Sequence, residues 1–179
     1  MASPISHSDQ PVQDCQRYLA QVTEEIAGDF HPTTPVWPLL SARSNAVDNV
    51  LIHLWQFYLD QRSDLALAAV GGYGRGELYP FSDIDLLILV TDSPDQETAA
   101  QISELLRNLW DIGLKVGSSV RTLDECETLA REDLTIFTSL LEARCIAGST
   151  ELFSQLKGHI DPVHMWDSKA FYKAKLEET

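Results

Sequence analysis

Gly71 to Leu89 reads GGYGRGELYPFSDIDLLIL. The apolar run LALAAV, Leu65 to Val70, stops on two glycines, and a second apolar run, Ile84 to Val90, opens behind Asp83 and Asp85. Both runs have strand length, and their unbroken hydrophobicity predicts strands buried on both faces. In an extended chain residues i and i+2 share a face, so Asp83 and Asp85 are expected side by side, with Ile84 turned into the core. Two carboxylates held in parallel repel each other unless a cation lies between them. Mg²⁺ commonly takes one or two carboxylates and completes its shell with phosphate oxygens and water. Gly71 and Gly72 follow a strand, where absent side chains and exposed N–H groups let a phosphate approach the backbone. The bland alternative is a tight turn followed by a strand with a polar start. The G-G-x-G-x-G spacing is no Walker loop, for no G-K-[ST] follows, and Pro80 breaks the dinucleotide-binding pattern.

Working outward, Leu19, Val22, Ile26 and Phe30 recur at helical spacing through Asp9–Phe30. The prolines of HPTTPVWP (His31–Pro38) are expected to end that helix, and Ser41 to cap a second one running to about Arg62. Arg75–Tyr79 is read as one helical turn closed by Pro80. Asp95 or Thr98 should start a helix through AAQISELLRNLWD, with Gly113 as its C-cap. LKVGSSVRTL, Leu114–Leu123, predicts a third strand in which Gly117 marks a bulge or a close approach. Thereafter LDECETLARE, DLTIFTSLLEARCIAG, TELFSQLKGHI and DSKAFYKAKLEET all read as helices. His53, alone on a helix, is read as structural, and core packing is the expectation for Trp55, Trp110 and Trp166, with Trp37 over a hydrophobic seam in the proline-rich turn. The fold expected is α+β (α/β-like): a small mixed sheet flanked by helices. Residues 1–62 form an N-terminal helical segment packed on the core, 63–148 the core itself, and 149–179 C-terminal helices leading towards a further domain.

The formal charge of −14 over 179 residues speaks against broad binding to nucleic acid or anionic membranes, which select basic surfaces. An anionic substrate would then need a local device, a metal or backbone amides. Three cysteines without C-x-x-C spacing indicate reduced thiols, five scattered histidines offer no zinc pattern, and no apolar run is long enough to span a bilayer. A cytoplasmic location is expected.

The segment GGYGRGELYPFSDIDLLIL resembles the signature of the DNA polymerase β-like nucleotidyltransferase superfamily, G-[GS], a spacer, then [DE]-h-[DE]-h. More closely it resembles the N-terminal domain of the bifunctional uridylyltransferase/uridylyl-removing enzymes that modify PII signal proteins. The likeness continues through LWDIGLKVGSSVRTLDEC, DLTIFTSLLEARCIAG and FYKAKLEE. It implies a polymerase β-type core, Gly71 and Gly72 on the triphosphate, Mg²⁺ on Asp83 and Asp85, and transfer of UMP from UTP to a tyrosine of PII with release of pyrophosphate. Arg75 and Ser82 are candidate further phosphate contacts, Arg75 equally a partner for Glu77. Arg121 is a candidate for phosphate or for Asp124 or Glu125.

The likeness has departures. Where the family commonly reads L-E-V-G-H-S-V-R-T, Lys115 and Ser118 stand in the Glu and His places. Superfamily members usually carry a third carboxylate; Asp111 and Asp133 are the nearest candidates, Asp133 more simply as a helix cap. The family enzymes continue into His-Asp and ACT domains, which are expected partners in the same polypeptide. No adjacent His-Asp pair occurs in these residues, so uridylyl removal is not expected of them. Two alternatives stay open: another nucleotide or acceptor, as in an adenylyltransferase, and a domain that binds nucleotide or PII without efficient turnover.

Overall fold

The computed structural model describes residues 5, 8–31, 33–60 and 62–161. The helix expected from Asp167 or Ser168, and Trp166, lie outside the described residues.

Two helices come first, α1 (Pro11–Gly28) and α2 (Val36–Leu59). The second begins well before Ser41, with Pro35 as N-cap and Pro38 inside the first turn. Proline is harmless there because the first N–H groups of a helix have no intrahelical acceptor, so the prolines separate the helices without delaying the second. The chain then forms β1 (Leu65–Ala69), the short helix α3 (Gly71–Gly74), β2 (Ile84–Val90), α4 (Gln96–Ile112) and β3 (Val116–Arg121). The Asp95 side chain caps α4 by accepting from the Thr98 amide, and Gly113 ends it at φ +99°. Such a left-handed residue costs glycine little. Helices α5 (Leu123–Glu132) and α6 (Leu134–Leu141) follow, then β4 (Arg144–Gly148) and α7 (Thr150–His159).

Strand β4 corrects the reading of EARCIAG as the tail of a helix. The segment is too short to declare itself. Its pairing with β1, Ala69 opposite Arg144 and Ala66 opposite Gly148, decides its form. The helical turn also moves: it lies on the glycines of α3, and Arg75 is its C-cap rather than the start of a turn to Tyr79.

The four strands run in the order β3-β2-β1-β4. Strand β1 is antiparallel to both β2 and β4, whereas β2 and β3 are parallel. Alternation sorts the side chains into two layers. Leu65, Leu67, Ala69, Ile84, Leu86, Ile88 and Val90 face α1, α2 and α4. Ala66, Ala68, Leu87 and Leu89 face α5, α6 and α7. Each fully buried leucine or isoleucine contributes about 2 kcal/mol, which makes the central strands the anchor of the whole fold. Lys157 on α7 donates to the carbonyls of Leu140 (3.1 Å) and Leu141 (2.7 Å), capping the end of α6.

Trp55 packs in the core and His53 is buried in α2, as expected. Trp110 and Trp37 are instead 59% and 60% exposed, because α4 and the first turn of α2 turn those positions to solvent. Cys15, Cys126 and Cys145 are free thiols, and burial pushes Cys15 up to about 12 and Cys126 up to about 11, so both stay protonated. Among the described residues no helix is long and apolar enough to cross a membrane.

Candidate active site

The antiparallel β1–β2 ladder ends with the Val70 amide donating to the Asp85 carbonyl (3.0 Å). The next two residues are Gly71 and Gly72, so this last rung sets the glycine turn beside Asp85. Gly71 sits at φ +58°, a conformation that favours glycine. The Gly74 amide donates to the Val70 carbonyl (3.0 Å), which leaves the amides of Gly71, Gly72 and Tyr73 ahead of the first helical hydrogen bond.

Asp85 is exposed between buried Ile84 and Leu86, and shares its face with Leu87 and Leu89, towards α6. The parallel register sets Asp85 against Gly117, where a Cβ on Gly117 would lie 2.8 Å from Asp85 Oδ1. A Cβ on Gly71 would lie 3.5 Å from Asp85 Oδ2 and 3.6 Å from Ser139 Oγ. Gly117 thus clears the space that the carboxylate fills, and Gly71 lies at ordinary contact distance on its other side. Gly117 is a close-approach point in a regular ladder, not a bulge.

A cleft of about 300 Å³ opens here, lined by Asp85, by Gly117, Ser119 and Arg121 of β3, and by Thr135 and Ser139 of α6. Arg121 is the cationic side chain among the described residues that line it. Among the described residues neither Asp124 nor Glu125 pairs with it: Glu125 is engaged in the capping box of α5. The parallel pairing of β3 with β2 brings Ser119 and Arg121 to this cleft. Their alternation with Gly117 was visible in the sequence, but the strand order was not.

Partial desolvation of the carboxyl where it lies against Gly117, and then the neighbouring Asp83 carboxylate, hold Asp85 above its ordinary range although its residue surface as a whole is exposed. Among the described residues no Lys, Arg or His forms an ion pair with Asp83 or Asp85. Two adjacent carboxylates without a cationic side chain suit a hard divalent cation with oxygen ligands. Among the described residues no group of three or more His, Cys, Asp or Glu side chains gathers that could hold a metal ion.

The other sequence candidates lie as follows. Arg75 pairs with Glu142 (2.5 Å) and Glu77 (3.4 Å) at the end of the glycine turn. Ser82 is exposed beside Asp83, its amide donating to the Tyr79 carbonyl (3.1 Å). Asp133 caps α6, accepting from the Thr135 and Ile136 amides, and Asp111 is exposed in the last turn of α4. Neither lines the cleft. Lys115 is exposed, and its carbonyl accepts from the Ile84 amide (2.8 Å), extending the β2–β3 ladder back towards Asp83.

Residues 51–137 match the nucleotidyltransferase domain family. Over 167 residues the chain is 44% identical to a bifunctional uridylyltransferase/uridylyl-removing enzyme of Photobacterium profundum, covering 93% of this chain and 19% of that protein. The enzyme of the same name from Pseudomonas fluorescens is 46% identical over 170 residues, 94% of this chain and 19% of that protein. That of Vibrio cholerae is 41% identical over 179 residues, 98% of this chain and 20% of that protein. The chain therefore spans about a fifth of the length of these relatives. Among solved structures, one of a toxin-antitoxin with AMP-PNP aligns at a TM-score of 0.42 and 16% identity, over 73% of this chain and 90% of that one.

Proposed function

Residues 51–137 are a nucleotidyltransferase domain, and from that premise we propose that the chain transfers UMP from UTP to a tyrosine hydroxyl of a PII signal protein, releasing pyrophosphate. The observation that carries the reading is the seating of the Asp85 carboxylate in space that only a glycine at 117 leaves open, on the wall of a cleft and beside the Gly71–Gly72 turn. The uridylyl specificity is taken from the names of the relatives, and PII as acceptor from the family the sequence resembles.

In this reading Asp83 and Asp85 would hold Mg²⁺, which would supply positive charge against the triphosphate and against the charge that develops in an in-line displacement at phosphorus. The chain's own residues position the nucleotide. The amides of Gly71 and Gly72 face phosphate oxygens, Arg121 and Ser139 contact the part of the triphosphate inside the cleft, and Ser82 contacts it from the rim. Arg75, held through Nη1 by Glu142 and through Nε by Glu77, joins them through Nη2, which lies beside Gly72. The acceptor oxygen bonds to the α-phosphorus, the bond from that phosphorus to the bridging oxygen breaks, and the hydroxyl proton passes to solvent. Asp111 and Asp133 have no part in this scheme. We assign these 179 residues transfer and not removal, since they contain no adjacent His-Asp pair.

The test is label transfer from α-labelled UTP or ATP to PII in the presence of Mg²⁺. Label on a PII tyrosine from UTP supports the reading. Transfer from ATP alone would replace it with an adenylyltransferase, and nucleotide binding without transfer would reduce this segment to a binding unit.

A further inference from the structure

The glycine turn has an unusual weakness. Three of the four residues of α3 are glycines, the residues that lose the most backbone freedom on folding, and Tyr73 carries the only side chain among them. Tyr73 is 2% exposed, and its hydroxyl donates to Asp48 Oδ1 (2.5 Å) on α2. Arg144 on β4 grips the same carboxylate, donating through Nη1 to Oδ2 (2.6 Å) and through Nη2 to Oδ1 (3.1 Å). The same guanidinium donates to the carbonyls of Tyr73 and Gly74, each at 3.4 Å, and lies 5.5 Å from the centre of the Tyr73 ring. These carbonyls end α3, and that of Tyr73 also accepts from the Gly76 amide (3.0 Å), so the guanidinium adds a second hold on the end of the turn. Gly74 completes the arrangement: a Cβ there would lie 2.5 Å from the Glu142 carbonyl oxygen and 3.1 Å from that of Ala69.

We propose that Asp48, Tyr73 and Arg144 form a positioning lock that holds the glycine turn in its nucleotide-ready shape before the nucleotide arrives. None of the three lines the cleft, so each acts through the turn. The proposal rests on the nucleotidyltransfer reading above. Without the lock the nucleotide itself must order a glycine-rich segment, and that cost falls on affinity more than on the chemical step.

Tyr73→Phe tests this with little risk to the fold, since Asp48 keeps Arg144 and no buried charge loses its partner. The expected result is a rise in the KM for UTP with Mg²⁺ of about tenfold with kcat nearly unchanged, because the lost preorganisation is a binding cost. Amide exchange at residues 71–75 should accelerate in the nucleotide-free variant, and UTP should slow it again. Arg144→Lys, which keeps the charge and loses the fork, should behave likewise. Leu105→Ala, a cavity in the core away from the turn, is the control: it should lower the melting temperature and leave the KM alone. Parental exchange and affinity in Tyr73→Phe would overturn the lock, as would an equal KM change in Leu105→Ala. If the parent chain binds no UTP, the nucleotide reading fails, while the exchange comparison still decides whether the lock orders the turn.

Discussion

Gly117→Ala isolates the position of one carboxylate from the stability of the fold. The added Cβ would sit 2.8 Å from Asp85 Oδ1, whereas ordinary contact begins at 3.4 Å, so the carboxylate must retreat by about 0.6 Å. Gly117 lies within a strand, outside the left-handed region, and alanine is compatible with that backbone. Pushing the Asp85 side chain off its rotamer costs about 0.5–1.5 kcal/mol. The loss of a glycine from the unfolded chain offsets about 0.4–1 kcal/mol of that. Net stability should therefore stay within about 1 kcal/mol of the parent, a shift of about 2–4 °C in melting temperature at most. Catalysis should suffer far more, since misplacing a reacting constellation by about 1 Å can cost about 100-fold. The expected loss in kcat/KM for pyrophosphate release is about 10- to 100-fold. Gly158→Ala, on α7 with nothing within 4 Å of the new Cβ, should leave turnover unchanged. Parental turnover in a folded Gly117→Ala would refute the reasoning, because it would mean that the chemistry does not depend on where Asp85 lies.

Two further substitutions separate stability from function. Asp85→Asn should cut turnover at least about 100-fold, since it keeps the size of a metal ligand and removes its charge. Because burial and Asp83 raise the Asp85 carboxyl, folding favours its protonated form, a contribution present at acid pH and lost as pH rises through the raised value. Asp85→Asn should thus melt above the metal-free parent at neutral pH, with the advantage shrinking as pH falls through the raised value and gone below about pH 4, the ordinary carboxylate value. Gly74→Ala drives a Cβ into two backbone carbonyls that cannot rotate away, and should cost about 1–3 kcal/mol in urea titrations.

How far the sequence carries is clearest at particular residues. Ile84–Val90, the polar start at Asp83 and Asp85, and the α4 boundaries at Asp95 and Gly113 were legible, because alternation, capping and glycine chemistry are local. Strand β4 was not: ARCIAG follows a helix without punctuation, and only pairing with β1 makes it a strand. The start of α2 was hidden by prolines, which block a helix interior but not its first turn. In the site, the two aspartates and the glycine pair were visible as a motif. The link from Arg144 to Asp48 spans 96 residues and leaves no mark on either local segment. Arg121 and Ser139 reach the cleft only through the strand order and the seating of α6.

The central claim is that Asp83 and Asp85 bind a nucleotide through Mg²⁺ beside the glycine turn. Calorimetric titration of UTP into the chain, with Mg²⁺ and with a chelator, tests it most directly. The expected result is Mg²⁺-dependent binding by the parent, weakened more than about tenfold in both Asp83→Asn and Asp85→Asn, as befits the loss of a ligand from a site with two protein carboxylates. Binding that survives the chelator, or that both variants retain at parental affinity, would contradict it.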